Sequence, residues 1–158
     1  EKVTMSEHMI QSAMIAERKK SSESLICACL LHDYGHFILE DPDNLVKKKL
    51  DGKHEEIGYE YLKKFFKEDV VEPIKYHVKA KRYLARNKKY YNHLSDASKI
   101  SLELQGGILN KKECRKFETN KFFKDSIKLR KFDELAKKTN VKMKTINQYE
   151  DLLFSQLL

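Results

Sequence analysis

At 158 residues the chain suits a single domain, residues 1–158, large enough to bury roughly two-thirds of its unfolded surface. With 35% charged residues, it contains no apolar run near the about 18 residues of a membrane span and no signal peptide with a hydrophobic core, which excludes a membrane protein and favours a cytoplasmic one. Three cysteines, Cys27, Cys29 and Cys114, lack CxxC spacing and so disfavour a disulfide framework or a thiolate zinc site, while the formal net charge of +8 raises the question of an anionic partner.

Scarce glycine, only two prolines and apolar residues at helical spacing predict an all-α fold. The first helix is expected from Lys2 to about Lys20, with Thr4 and Glu7 as a capping box. The second runs from Ser22 or Ser24 to about Tyr34. Its run Leu25-Ile-Cys-Ala-Cys-Leu-Leu31 has no polar face, so this is the central, buried helix, ending where Gly35 relaxes the backbone. Phe37 to Lys53, with Asp41-Pro42-Asp43-Asn44 and Asp51-Gly52, reads as a loop, a short helix and a turn. From His54, the positions Ile57, Gly58, Tyr61, Leu62, Phe65 and Phe66 share a face with the histidine, which therefore points inward. Pro73 suits the first position of the next helix, where its missing N–H would be unpaired anyway. Ser95 starts a helix that closes at Gly106-Gly107, and Asn110 with Glu113 caps a short one. Phe122 to about Lys138 forms an amphipathic helix, and a last helix covers roughly Thr145 to Leu157.

The chemistry centres on His32-Asp33-Tyr34-Gly35-His36, at the end of the buried helix. On a helix His32 and His36 share a face, and Asp33 has two oxygens able to bridge a pair of metals. The dipeptide gains meaning from His8 upstream, His54 and His77 at long intervals, and Asp133 in the late helix. Imidazole and carboxylate donors without thiolate suit iron, manganese, cobalt or zinc, and six protein donors are too many for one catalytic ion but suit two. Lys81 lies one turn from His77, and Arg130 one turn from Asp133, which turns both cations toward the same place.

The series His8, His32-Asp33, His54, His77, Asp133 resembles the ligand pattern of the HD-domain metalloproteins. Within them the chain is similar over nearly its whole length to the PhnZ-like branch, mixed-valence di-iron oxygenases that cleave carbon–phosphorus bonds. The strings that carry this resemblance are Glu7-His-Met-Ile-Gln11, Leu30-Leu-His-Asp-Tyr-Gly-His36, His54-Glu-Glu-Ile-Gly58, His77-Val-Lys-Ala-Lys-Arg-Tyr-Leu84, Leu94-Ser-Asp-Ala-Ser98, Leu104-Gln-Gly-Gly107 and Arg130-Lys-Phe-Asp133. It implies an all-α helical bundle holding two iron ions, Fe(II) and Fe(III), with O2 as co-substrate. One ion would take His8, His32, Asp33 and Asp133 and the other His54 and His77, with Asp33 bridging. His36, Lys81, Ser98 and Arg130 would hold the phosphonate, and Glu1 would recognise an amino group on the substrate. His32, Asp33, His36 and Lys81 would be the catalytic set. The implied reaction turns a 1-hydroxyphosphonate, such as 2-amino-1-hydroxyethylphosphonate, into phosphate and a carboxylic acid, and the implied partner is a small anionic organophosphonate.

Two other functions compete. Metal-dependent hydrolysis of a phosphomonoester or nucleotide is the commonest activity of the wider group, but the HVKAKRYL and QGG strings favour the oxygenase branch. Nucleic-acid binding rests on the stretch between Glu72 and Asp96, which holds seven Lys or Arg and no acid, interleaved with Tyr76, Tyr83, Tyr90 and Tyr91. No RNP string or GXXG loop accompanies it, so a solvated face, or charge that steers an anionic substrate toward the metals, is the better reading. His93 matches no catalytic position and is read as a surface or capping residue.

Overall fold

A computed structural model of the chain describes residues 3–39 and 51–158. Glu1 and the Asp41-Pro42-Asp43-Asn44 segment lie outside the described residues. The structure is all-α. Helices α1 (Met5–Arg18), α2 (Glu23–Leu31), α3 (Gly35–Ile38), α4 (His54–Leu62) and α5 (Glu68–Leu84) are followed by α6 (Lys88–His93), α7 (Asp96–Leu104), α8 (Lys111–Glu118) and α9 (Phe123–Leu135). A 3-10 turn, Ile146–Tyr149, leads into α10 (Glu150–Ser155).

Helix α2 is the central element. Leu25 to Leu30 are all buried, and they pack with Ala13, Ala16, Val70, Ile74, Leu129 and Phe132 into the main core. α1, α5 and α9 surround it. Truncating a leucine in such a core costs about 2–5 kcal/mol, so this helix is the rigid platform for whatever its C-terminal end carries. Cys27 and Cys29 belong to this packing as free thiols, and burial pushes the Cys27 thiol up to about 12, which keeps it unreactive.

Several local expectations need correction. Thr4 caps α1 by accepting from the Glu7 N–H at 3.2 Å, but the helix begins at Met5 rather than Lys2. Gly35 does not end α2 with a left-handed residue; it opens α3 instead. Its role is steric, because a Cβ there would meet the His54 carbonyl oxygen at 1.9 Å and the Gly58 nitrogen at 2.9 Å. The start of α3 thus lies directly against α4. Pro73 sits inside α5, not at its first position, since Glu68 to Glu72 already extend the helix before it. Tyr61 and Phe65 are 41% and 46% exposed, whereas Gly58 and Leu62 are buried and Phe66 packs against the core from the same expected face. The sequence reading also passed over α6, which Asn87 caps by accepting from the Tyr90 N–H.

Other caps are as expected. Ser22 and Ser95 accept from the third residue of their helices, and Asn110 with Glu113 forms a full capping box. Gly106 and Gly107, at φ 109° and 72°, end the α7 region in backbone that glycine adopts freely. Their carbonyls accept from Arg82 at 3.1 and 2.7 Å. The basic stretch is therefore divided: Arg82 ties down this turn, Lys75 lies over the Tyr59 ring, and Lys81 is buried.

Candidate metal centre

The end of α2, the first turns of α1 and α4, the middle of α5 and the end of α9 bring six side chains together. His8, His32, Asp33 and Asp133 place one donor atom each within 4.8 Å of one another, and so do Asp33, His54 and His77. Asp33 is common to both groups and is split between them. Its Oδ2 lies 3.4 Å from His8 Nε2 and 3.3 Å from His32 Nε2, while its Oδ1 lies 3.2 Å from His54 Nε2 and 3.6 Å from His77 Nε2. Asp133 Oδ1 completes the first group at 2.9 Å from His8 Nε2 and 3.5 Å from His32 Nε2. None of these side chains is more than 12% exposed.

The imidazole orientations follow from the helices. His32 and His77 turn Nδ1 back to the carbonyls three residues earlier, Cys29 at 2.7 Å and Ile74 at 2.6 Å. His8 Nδ1 meets the Ala136 carbonyl at 2.7 Å. With Nδ1–H donating, the neutral ring directs its Nε2 lone pair inward. The His8 and His32 Nε2 atoms then face each other at 3.2 Å, and those of His54 and His77 at 3.1 Å. Facing lone pairs repel unless a cation, a proton or a metal ion, lies between them, and the imidazole and carboxylate donors of both groups fit a metal ion in that place.

The protonation balance agrees. Burial lowers the basicity of His8, but hydrogen bonds to Asp133 and Asp33 outweigh it and raise the group to about 9. Burial likewise opposes ionisation of Asp33 and Asp133, yet the facing imidazoles, and for Asp133 first the Arg130 guanidinium, hold both carboxyls well below the usual range. Two buried, ionised carboxylates thus meet a ring of imidazoles, an arrangement that attracts positive charge.

Beside the second group opens a cavity of about 300 Å³, whose wall includes Asp33, His54, His77, His36, Lys81, Ser98 and Arg130. A separate cavity of about 320 Å³ reaches Asp33 and Asp133 from the His8 side, past Val3, Met5 and Lys137. His36 stacks on His54 with ring centroids 4.0 Å apart. Burial and the neighbouring imidazoles lower it to about 4, so it is a neutral hydrogen-bonding ring. Lys81 is only 3% exposed, and its ammonium donates to Ser101 Oγ at 2.6 Å and Gln105 Oε1 at 3.0 Å, leaving its third proton free of these two. Burial, with Arg130 nearby, brings it down to about 7.

Arg130 is neither a surface ion pair nor a free fork. It is buried, pairs with Asp133 Oδ2 through Nη1, and donates to Glu134 at 2.9 Å and to the Tyr90 hydroxyl at 3.2 Å. Two of its five N–H groups remain outside these bonds. Ser98 is the third residue of α7, and its N–H is held by the Ser95 cap while the residue also lines the cavity. His93 is exposed, with Nδ1 on the Lys89 carbonyl. Sequence reasoning missed Ser101, Gln105, Tyr90 and Glu134. The α7 pair had a signal, since Ser98, Ser101 and Gln105 recur at i, i+3 and i+7 and so share one helical face.

Comparison with known proteins places these observations in context. The family profile of the HD domain matches residues 5–113. A [1-hydroxy-2-(trimethylamino)ethyl]phosphonate dioxygenase (glycine-betaine-forming) from Leisingera caerulea is 44% identical over 142 residues, covering 89% of this chain and 72% of that protein. A hydroxymethylphosphonate dioxygenase from Gimesia maris is 40% identical over 154 residues, covering 94% of this chain and 75% of its own. The uncharacterized protein L432 of Acanthamoeba polyphaga mimivirus is 36% identical over 160 residues, covering 99% of this chain and 73% of its own.

Proposed function

Since the chain belongs to the HD-domain family and its named relatives are phosphonate dioxygenases, we propose that it is an O2-dependent di-iron oxygenase that cleaves the carbon–phosphorus bond of a 1-hydroxyphosphonate. The observation that carries this reading is the juxtaposition in one cavity of a three-donor group, Asp33, His54 and His77, with the cations Lys81 and Arg130. A centre that only fixed structure would have no use for an anion pocket beside its less saturated half.

In this reading His8, His32, Asp33 and Asp133 hold one ion, and Asp33, His54 and His77 hold the other. Bound as an Fe(II)/Fe(III) pair, iron supplies the redox chemistry that water and side chains lack. The protein supplies the rest. Lys81 and the unused N–H groups of Arg130 neutralise the phosphonate, and Ser98 and the neutral His36 donate to its remaining oxygens. With three donors, the His54–His77 half leaves room for the substrate hydroxyl, while the cavity wall at Val78 and Leu104 restricts water around the reacting carbon. The overall balance needs no outside reductant. The carbon–phosphorus and C1–hydrogen bonds are lost, both oxygen atoms enter the products, and a carboxylic acid and phosphate are released.

The test is oxygen uptake with phosphate release, using iron-loaded protein and hydroxymethylphosphonate, 2-amino-1-hydroxyethylphosphonate or its trimethylammonio relative. Equal molar consumption of O2 and release of phosphate on one of them, stopping under anaerobiosis, is the expected result. Anaerobic phosphate release from a nucleotide or phosphomonoester, without oxygen uptake on any hydroxyphosphonate, would replace this reading with a metal-dependent phosphohydrolase.

A further inference from the structure

Of the four histidines that turn Nε2 into the centre, His8, His32 and His77 satisfy Nδ1 with a main-chain carbonyl. His54 does not, and the reason is its place in the chain. It is the first residue of α4, after Lys53 in left-handed backbone at φ 52°, so the residue three before it lies outside the helix and offers no aligned carbonyl. The polar atom that faces His54 Nδ1 is instead Glu55 Oε2, at 3.6 Å. Among the described residues that oxygen is buried and has no hydrogen-bond partner, on a residue only 8% exposed. A buried carboxylate oxygen left unpaired is costly and calls for a donor.

The geometry points to Glu55 as the positioning residue of His54, a side-chain acceptor that takes the place of the missing carbonyl and closes onto Nδ1–H when His54 holds its ion. This rests on the two-ion reading above. A carboxylate accepts more strongly than a carbonyl and raises the donor strength of the imidazole it holds. Glu55 thereby strengthens one of the only two histidines in the three-donor half, where each bond to the ion counts most. The other half, with four donors, does not depend on it.

The experiment titrates the metal-stripped chain with Fe(II) under anaerobic conditions, by calorimetry and by Mössbauer spectroscopy of the loaded forms, for the wild type, Glu55→Gln and Glu55→Asp. Wild type should take two equivalents. Glu55→Gln should keep one at unchanged affinity and lose about 10- to 100-fold in affinity for the other, with the Mössbauer signature of one site altered, and Glu55→Asp should recover most of the loss. Thermal unfolding of the metal-free Glu55→Gln protein should match that of wild type, because Oε2 makes no hydrogen bond there for the substitution to remove. Two equivalents at wild-type affinity in Glu55→Gln would overturn the role of Glu55 and leave the two-ion reading standing, as would equal weakening of both ions or a less stable metal-free protein, which marks a structural residue. Fewer than two equivalents in wild type would overturn the two-ion reading itself.

Discussion

The donors around His8 come from α1, the end of α2 and α9, and Asp133 is locked on its far side by Arg130, whereas those around His54 and His77 come from the consecutive helices α4 and α5 and face a cavity lined by cations. The first half has four donors and is braced, and the second has three and is the half accessible from the cation-lined cavity. Only Asp33 belongs to both. The difference teaches how one set of helices can serve two tasks, since one group can hold an ion firmly while its neighbour keeps positions for a reactant.

The comparison breaks most completely at Asp33. Asp33→Ala removes a donor from each half, so metal analysis after gel filtration should find neither equivalent retained, and turnover should fall to the uncatalysed background. Retention of both ions would show that the halves are independent. Lys81→Met should touch only the accessible half, raising KM for the phosphonate by about 100-fold while iron content stays at the wild-type value. Arg130→Lys crosses the boundary. It keeps the charge but loses the pairing geometry with Asp133, Glu134 and Tyr90, so substrate binding should weaken together with an about tenfold loss of affinity in the braced half, read by metal titration.

Proton binding offers the gentlest probe. In metal-free protein His8 is raised from 6.5 to about 9, so its protonated form stabilises the fold fully below about 6.5, and that contribution disappears as pH rises through about 9. Set against His8→Gln, metal-free wild type should lose a His8 contribution on the order of 3 kcal/mol across this interval in urea unfolding, a comparison that removes the opposite contribution of Lys81, which is brought down to about 7 and gains stability over the same range. With metal bound the His8 proton is displaced, and this contribution should vanish. A difference between metal-free wild type and His8→Gln that is flat from pH 6.5 to 9.5 would contradict the assigned His8–Asp133–Asp33 contact.

The buried helix, the residues that cluster at the centre and most caps were legible because each writes a local signature: an unbroken apolar run, a histidine beside an aspartate, a serine or asparagine three residues before the N–H it accepts. What was not legible depended on approach between elements. Nothing local distinguishes a glycine that ends a helix from Gly35, which is required because α4 passes where its side chain would be. Arg130 stands three and four residues before Asp133 and Glu134, so those partners were open to a local reading, but its third, Tyr90, comes from α6 and was not. The exposure of Tyr61 and Phe65 was hidden for the same reason, since periodicity names a face but not where its cover stops.

The hydrogen bond from His8 to the Ala136 carbonyl, together with the contact to Asp133, joins positions 128 and 125 residues apart in the chain. In a polypeptide made from its N-terminus, Asp33, His54 and His77 are therefore all synthesised well before Asp133. The accessible half has its full complement of donors on a nascent chain while the braced half is still one carboxylate short. Biosynthesis runs opposite to the number of donors, and the last of them to leave the ribosome is the one that distinguishes the two halves.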